Sequence, residues 1–282
     1  MAITAQMVKE LREKTGAGMM DCKKALEENG GDSEKAVDWL RQKGIAKAAK
    51  KAGRATSEGL VTAARSADGR AIALAAVRCE TDFVARGEQF QNFAKSVSQL
   101  VLDKNPADGD ALAGLLGDGL QAQIAAVGEN MTLGDFARYE SANGALGLYI
   151  HANNKIGVLV EFALGKADSA KQAAFEELAK NVAMQVAAAS PLSVAPDSLD
   201  AAVVEREREV YRQKAADEGK PANIIDKIVE GAVKKFYKDV CLLEQPYIRD
   251  DKKTVNDVVK EAAKALGDTV SVVRFARIQL AE

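Results

Sequence analysis

The sequence predicts an α+β fold with antiparallel sheets, mainly because one pattern of two strands followed by a helix occurs twice. In the first copy, residues 59–62 and 71–77 have strand character and are separated by an Asp-Gly turn, which is a strong hairpin signal. In the second copy, residues 147–150 and 156–162 have the same character, with an Asn-Asn turn between them. Repeated strand-strand-helix units favour antiparallel sheets that carry helices on one face.

The segment after each strand pair has apolar residues at helical spacing. The first face carries Phe90, Phe93, Val97 and Leu100, and the second carries Phe175, Leu178, Val182 and Val186. Ile72 and Ile156 are about 84 residues apart, and Phe90 and Phe175 about 85, which predicts two structurally related core subdomains. Frequent alanine and an aromatic content of only 5% favour a helix-rich chain.

Length and charge limit the class of protein. The chain has 282 residues, which corresponds to roughly two domains. Its 39 Lys and Arg nearly balance its 41 Asp and Glu, so a net charge of −2 argues against a dominant nucleic-acid or anionic-membrane surface. No apolar run reaches about 18 residues, and Met1-Ala2-Ile3-Thr4 lacks the features of a signal peptide. The sequence therefore predicts a cytoplasmic protein.

The cysteine and histidine content argues against metal and nucleophile chemistry. Cys22, Cys79 and Cys241 are odd in number and far apart, which predicts reduced thiols rather than disulfides. There is no C-x-x-C pair, and His151 has no second histidine with which to share a metal ion. We therefore expect no cofactor, no metal and no catalytic residue.

The first 45 or so residues predict three short helices separated by glycines. Thr4 is placed to cap the first helix, and either Asp32 or Ser33 is placed to cap the third, which is expected to end near Gly44. A bundle of this size has a marginal core and is typical of a docking module.

A basic run follows the third predicted helix, with five cations and no acid between residues 43 and 54. The cations are Lys43, Lys47, Lys50, Lys51 and Arg54. They are either a solvated helix or linker, or a surface for an anionic partner such as RNA. A ribosome- or RNA-associated binding protein is therefore an alternative function, and steep salt dependence of RNA binding would reveal it.

A charged helical hairpin is predicted at about residues 201–238. Its apolar stripe is formed by Val203, Val204, Val210, Tyr211, Ile225, Val229, Ala232 and Phe236, with a break at Gly219-Lys220-Pro221. A helix to about Ala265 and a strand at 270–275 follow.

Residues 117–122 match the glycine fingerprint of dinucleotide-binding proteins. The segment before them lacks the β-branched residues of a strand, so an Ala- and Gly-rich surface loop is the preferred interpretation. A nucleotide-dependent enzyme is the alternative that this fingerprint leaves open, and direct nucleotide binding would reveal it. Neither Gly165-Lys166 nor Gly219-Lys220 completes a phosphate loop.

Three segments carry a close resemblance to a known family. They are Thr15-Gly16-Ala17-Gly18-Met19-Met20-Asp21-Cys22-Lys23-Lys24-Ala25-Leu26, Cys79-Glu80-Thr81-Asp82-Phe83-Val84-Ala85 and Lys155-Ile156-Gly157-Val158-Leu159-Val160. Together they resemble the elongation factor Ts family, the guanine-nucleotide exchange factors of bacterial elongation factor Tu. The resemblance spans almost the whole chain.

The resemblance implies a domain organisation. We expect a ubiquitin-associated-like (UBA-like) N-terminal module with a basic linker at 1–53 and a first core subdomain at 54–142. A second core subdomain at 143–282 is expected to contain the helical hairpin as an inserted antiparallel coiled coil. Some relatives continue into a further helical module where this chain ends at Ala281-Glu282.

The resemblance also implies a function without covalent chemistry. It implies a translation elongation factor that binds elongation factor Tu in its GDP-bound and nucleotide-free forms. Disturbing the Mg²⁺ and phosphate site of that partner would release GDP and allow GTP to bind. No nucleotide or membrane is expected to bind the chain directly, and nucleic acid is not an expected partner.

The main contact implied by the resemblance is a loop containing Thr81, Asp82, Phe83 and Val84. Phe83 is an apolar wedge suited to a pocket, and Asp82 is able to accept hydrogen bonds. From the residues alone, the alternative is that Phe83 is a core aromatic and Asp82 a helix or turn cap.

Four further positions match contacts of the family. Val127 and Gly128 correspond to a segment that approaches the nucleotide domain of the partner, with Val127 where an isoleucine is familiar. His151 matches a histidine that meets the third domain of the partner, and Lys23 matches a contact of the N-terminal module. The alternatives are a lone surface histidine and a solvated helix lysine.

Overall fold

A computed structural model describes residues 3–142 and 144–280, and it has the predicted α+β architecture with antiparallel strand pairing. The helices in these residues are α1 (Ala5–Thr15), α2 (Met19–Glu28), α3 (Ser33–Ala49), α4 (Asp82–Arg86), α5 (Glu88–Lys104), α6 (Gly109–Leu116), α7 (Gly119–Val127), α8 (Ala173–Ala189), α9 (Ala201–Asp217), α10 (Ala222–Val240) and α11 (Val255–Leu266). The strands are β1 (Glu58–Arg65), β2 (Ala71–Cys79), β3 (Met131–Glu140), β4 (Gly144–Ile150), β5 (Ile156–Leu164), β6 (Pro246–Tyr247), β7 (Asp250–Thr254) and β8 (Val270–Gln279).

Some predictions fall on residues outside this description. The signal-peptide argument includes Met1-Ala2, the chain end is Ala281-Glu282, and the second predicted subdomain begins at Asn143. Within residues 3–142 and 144–280, no helix has the length and apolar character needed to span a membrane.

The chain divides into two compact units. The first comprises Met1–Ala64, Ala73–Arg138 and Ile278–Glu282, and the second comprises Arg65–Ile72 and Tyr139–Arg277. The subdomain boundaries suggested by the family resemblance stay a prediction.

The first unit begins with the three predicted helices, which share a small apolar core. The Thr4 hydroxyl accepts a hydrogen bond from the Met7 N–H at 3.2 Å, and the Asp32 carboxylate accepts from the N–H groups of Glu34 and Lys35. Asp32, rather than Ser33, is therefore the cap of α3. The shared core contains Val8, Leu11, Cys22, Ala25, Leu26 and Ala36.

Helix α3 does not end near Gly44 as predicted but continues to Ala49. Gly44 allows close packing here, because a Cβ at this position would lie 3.3 Å from the Cβ of Ala125 in α7. The glycine is a contact point between two helices and not a helix stop. Most of the predicted basic linker is consequently helical.

The first sheet has the order β1-β2-β3, with the hairpin predicted from residues 59–77 at one side. Strand β2 lies in the centre, and its side chains are almost all buried, including Ile72, Leu74 and Val77. Helix α5 buries Phe90, Phe93 and Val97 as predicted, with Val101 rather than Leu100 completing its buried face.

Strands β4, β5 and β8 form the second sheet in that order, and all of it except the end of β8 belongs to the second unit. The pairing of β4 with β5 confirms the predicted second hairpin. Strands β4 and β5 are antiparallel, with Leu148 opposite Leu159. Helix α8 belongs to the same core, and its Phe175 ring lies 5.3 Å from that of Phe162 in an edge-to-face arrangement. Such pairs contribute beyond their buried area.

Helices α9 and α10 form the predicted hairpin. Its apolar cluster contains Leu199, Val204, Tyr211, Ile225, Val229, Val233, Phe236, Tyr237, Val240 and Cys241. Val210 was predicted in the stripe and is instead exposed, whereas its neighbour Tyr211 is half-buried against the cluster. Arg208 joins the two arms through an ion pair with Glu230.

Candidate functional site

The segment that follows β2 is a short helix with one protruding side chain. Helix α4 (Asp82–Arg86) begins after Thr81, whose hydroxyl accepts a hydrogen bond from the Val84 N–H at 3.4 Å. It ends at Gly87, whose N–H donates to the Val84 carbonyl at 2.9 Å. The predicted loop at Thr81, Asp82, Phe83 and Val84 is therefore wrong in one respect, because these residues form a capped helical turn.

Phe83 projects from this turn into solvent. It is 86% exposed, while Ala85 on the opposite side is buried. Asp82 forms an exposed ion pair with Arg86 at 3.0 Å, and Thr81 rather than Asp82 is the helix cap. These positions exclude the alternative of a core aromatic at Phe83 and a cap at Asp82.

The second predicted contact segment lies at the end of α7. Val127 is the last residue of the helix, and Gly128 terminates it with a φ of +88°. A side chain is strained in that left-handed conformation, so the helix end requires glycine here. Gly128 is exposed and Val127 half-buried.

Two carboxylates join these two segments in a reciprocal arrangement. Glu129 accepts hydrogen bonds from the Thr81 N–H at 2.9 Å and from the Thr81 hydroxyl at 2.6 Å. Glu80, one residue before Thr81, accepts from the Asn130 N–H at 2.5 Å. Each segment therefore supplies a carboxylate to the backbone of the other, and we call this arrangement the Glu80–Glu129 clamp.

The end of the basic run contacts both segments that the Glu80–Glu129 clamp joins. Lys51 donates to the Gly128 carbonyl, and Arg54 lies 3.5 Å from the Glu80 carboxylate. The buried Asn130 side chain donates to the Arg54 carbonyl at 2.8 Å. The chain after α3 is thus tied to both contact segments.

Two other cations of the run form hydrogen bonds with a carboxylate of α2. Lys43 and Lys47 bond to the Asp21 carboxylate at 2.9 and 2.7 Å. Hydrogen bonds from Lys47 first, and then from Lys43, lower the pKa of Asp21. Together with Lys51 and Arg54, four of the five cations therefore have partners within the chain, which weakens the case for an RNA surface.

His151 and Lys23 lie elsewhere on the surface. His151 follows β4 at the tip of the β4–β5 hairpin, and its Nδ1 lies 3.0 Å from the Tyr149 hydroxyl. It belongs to the second compact unit, whereas Lys23, on α2, belongs to the first. Lys23 is exposed and lies 3.7 Å from Glu27.

The dinucleotide fingerprint at residues 117–122 has the wrong structural context. It joins α6 to α7, so a helix precedes it where a nucleotide site requires a strand. The predicted surface loop is also wrong in part, because residues 119–122 form the first turn of α7. Asp118 forms an ion pair with Arg41, and α7 packs against α3.

Comparison with known proteins gives one consistent result. A family model described as Elongation factor TS matches residues 80–282. The Elongation factor Ts of Desulfovibrio desulfuricans is 67% identical over 282 residues, covering 99% of each chain. That of Nitratidesulfovibrio vulgaris strain DP4 is 58% identical over 283 residues, covering 100% of this chain and 97% of the other. The chain belongs to the elongation factor Ts family.

Family membership confirms the resemblance found in the sequence. A member of the elongation factor Ts family is a translation elongation factor and a nucleotide exchange factor, not a catalytic enzyme. The Elongation factor Ts of Symbiobacterium thermophilum, 47% identical over 281 residues, covers 99% of this chain and 92% of its own length. In the part of the chain that the structure describes, no group of three or more His, Cys, Asp or Glu side chains is placed to hold a metal ion.

Four residues that hold the candidate site together were not predicted as site residues. Glu80, Glu129, Asn130 and Lys51 connect the predicted contact segments without being apolar, exposed or part of a helical stripe. The sequence did offer a signal for each: Glu80 stands in a segment that resembles the family, Glu129 and Asn130 follow Gly128 directly, and Lys51 belongs to the basic run.

The thiol of Cys79, which directly precedes Glu80, is expected to make the free energy of unfolding decrease at alkaline pH. Burial, followed by the nearby charge of Glu129, raises the pKa of the Cys79 thiol to about 12. An unfolded thiol titrates near about 8.5. The stabilisation is fully present below that pH and is lost as pH rises toward about 12, at up to about 1.4 kcal/mol per pH unit.

Urea unfolding of the wild type and Cys79→Ala between about pH 7.5 and 10 measures this contribution. Cys79→Ala should lose less stability over that range, although it starts from a lower value because a buried side chain is truncated. Cys22 and Cys241 are also buried and remain in both proteins, so their titration cancels. Parallel stability curves for the two proteins would contradict the prediction.

Proposed function

We propose that this chain promotes release of GDP from elongation factor Tu by binding it and disturbing its Mg²⁺ and phosphate site, so that GTP binds next. Membership of the elongation factor Ts family implies elongation factor Tu as the partner. The single observation that carries the mechanism is the exposed Phe83, held on a capped turn beside the Val127-Gly128 segment. An exposed aromatic on a fixed turn is suited to enter a pocket of a partner.

Each contact residue has a separate role in this proposal. Phe83 is the wedge, and Asp82 accepts hydrogen bonds from groups around the pocket once its exposed pair with Arg86 opens. An exposed ion pair of this kind contributes little, so opening it costs about 1 kcal/mol or less. Thr81 and Val84 shape the turn, and Val127 and Gly128 contact the nucleotide domain beside it.

Two contacts lie outside this cluster. His151 meets another domain of the partner, and Lys23 adds a contact from α2. We propose that α1–α3 form the UBA-like docking module and that α9 and α10 form the coiled-coil insert implied by the family. Separate contacts on one chain raise the effective concentration of each for the partner.

The partner is bound in its GDP-bound and nucleotide-free forms, and the chain itself binds no nucleotide. The function is a cytoplasmic one. The alternative of a ribosome- or RNA-associated protein has less support, because Lys43, Lys47, Lys51 and Arg54 have partners within the chain.

Release of fluorescent GDP from elongation factor Tu tests the function. Substoichiometric amounts of this chain are expected to accelerate release in Mg²⁺-containing buffer, because the chain dissociates once GTP has bound. Release at the spontaneous rate would refute the proposal. A further control is direct titration of the isolated chain with fluorescent GDP, for which no binding is expected.

A further inference from the structure

We propose that Glu129 is a positioning residue of the exchange surface: its carboxylate holds Thr81 and thereby fixes the turn that presents Phe83. This inference rests on the proposed function and deepens it. Glu129 would act through Thr81 and Phe83, without itself touching the nucleotide or its Mg²⁺.

Helix α4 is too short to maintain its own conformation. It has five residues, and isolated helices of about 12 residues or fewer are marginal in water. Phe83 contributes almost no burial in the free protein, because 86% of it is exposed. The conformation must therefore be imposed by contacts at the base of the turn, where Thr81 and the buried Ala85 lie.

Glu129 supplies two of these contacts, both to Thr81. One carboxylate oxygen accepts from the Thr81 N–H at 2.9 Å, and the other accepts from the Thr81 hydroxyl at 2.6 Å. Hydrogen bonds to an ionised acceptor are about twice as strong as neutral ones. Glu129 therefore holds both the backbone and the side chain of Thr81.

The bond to the hydroxyl also sets up the helix cap. A threonine hydroxyl has one proton to donate and lone pairs that accept. Because the proton points to Glu129, the lone pairs are free to accept from the Val84 N–H, which is the capping bond of α4. Glu129 thus orients Thr81 so that it caps the turn carrying Phe83.

The position of Glu129 in the chain also fixes the distance between the two contact segments. It follows Gly128 directly, so the bonds to Thr81 also set the separation between the Phe83 turn and the Val127-Gly128 segment. Glu80 reinforces this separation through its bond to the Asn130 N–H at 2.5 Å. Two contact segments held at a fixed distance meet a partner without an added ordering cost, which is the benefit of preorganisation.

Glu129→Gln tests the proposal with little change in volume. The glutamine keeps one carbonyl acceptor and replaces the other with an amide that does not accept. At limiting concentration we expect the rate constant for GDP release to fall about tenfold, because a charge-assisted bond is lost. Amide hydrogen exchange at Thr81 and Val84 should become faster, while the melting temperature stays near that of the wild type.

Glu177→Gln, on an exposed position of α8, is the matched control and should behave as the wild type in all three measurements. A double-mutant cycle with Phe83→Ala then separates positioning from general effects. Glu129→Gln should cost less than about threefold when Phe83 is already absent, because its action passes through that side chain. A second full tenfold loss in the Phe83→Ala background would overturn the proposal.

A pair of Thr81 variants covers the case in which Glu129→Gln does not fold. Thr81→Ser keeps the hydroxyl and Thr81→Val keeps the shape without it, so Thr81→Ser should exchange faster than Thr81→Val. Equal rates for the two variants would overturn the proposal. If Phe83→Ala slows exchange and Glu129→Gln does not, only the positioning role fails; if the wild-type chain itself does not accelerate GDP release, the proposed function fails.

Discussion

Phe83→Ala is expected to slow GDP release from elongation factor Tu by roughly thirtyfold or more while leaving the free protein almost as stable as the wild type. Truncating a central aromatic of an interface costs about 2 kcal/mol or more, which corresponds to that factor. In the free protein the side chain is 86% exposed, so its removal takes away little buried surface. Fluorescent GDP release and thermal unfolding measure the two effects separately.

Two control variants define the limits of this result. Leu192→Ala removes another exposed apolar side chain and should leave exchange unchanged. Phe90→Ala removes a fully buried ring of α5 and should lower the free energy of unfolding by about 3–5 kcal/mol. A stability loss for Phe83→Ala as large as that of Phe90→Ala would mean that Phe83 supports the fold. Exchange at the wild-type rate would remove it from the contact surface.

The sequence predicted those parts of the fold in which the apolar pattern is strong and local. The two hairpins, α5, α8 and the hairpin of α9 and α10 all have apolar residues at the period of their element. Strand β3 was not predicted, because Gly134 and Asp135 interrupt it and it lacks a continuous run of β-branched residues. The charged strand β7 was missed for the same reason.

Errors at α3 and α7 have a tertiary origin. Gly44 appeared to end α3, but the helix continues because α7 packs closely on that glycine. Residues 117–122 were interpreted as an Ala- and Gly-rich surface loop, yet residues 119–122 lie in α7, which packs against α3. A packing partner thus overrides a weak local preference.

The contact residues of the candidate site were predicted from sequence motifs. The hydrogen bonds that hold these residues in place were not predicted. Phe83 and Gly128 stand in segments that resemble the family, and the structure brings these segments together. The Glu80–Glu129 clamp joins positions that are about 50 residues apart in sequence. No periodicity or short motif reports such a pairing, because it depends on where β2 and α7 end in space.

The second large expected effect is thermodynamic coupling between this chain and GDP on elongation factor Tu. If the chain favours a partner conformation with a disturbed Mg²⁺ and phosphate site, each ligand must weaken the other by the same factor. A thousandfold coupling corresponds to about 4 kcal/mol of differential interaction. Several contacts that become buried on binding, including those of Phe83, Val127 and His151, are able to supply this amount, whereas one exposed ion pair is not.

Calorimetric titration of this chain into nucleotide-free, GDP-bound and GDP-Mg²⁺-bound elongation factor Tu measures the coupling directly. Affinity should decrease in that order, because each added ligand stabilises the conformation that the chain disfavours. Phe83→Ala should reduce the differences in affinity between the three forms, because the Phe83 wedge is the contact that depends most on the state of the phosphate site. Leu192→Ala, the matched control, should leave all three affinities at their wild-type values. Equal affinity of the wild-type chain for the three forms would contradict the mechanism, because a ligand that binds all states equally displaces nothing.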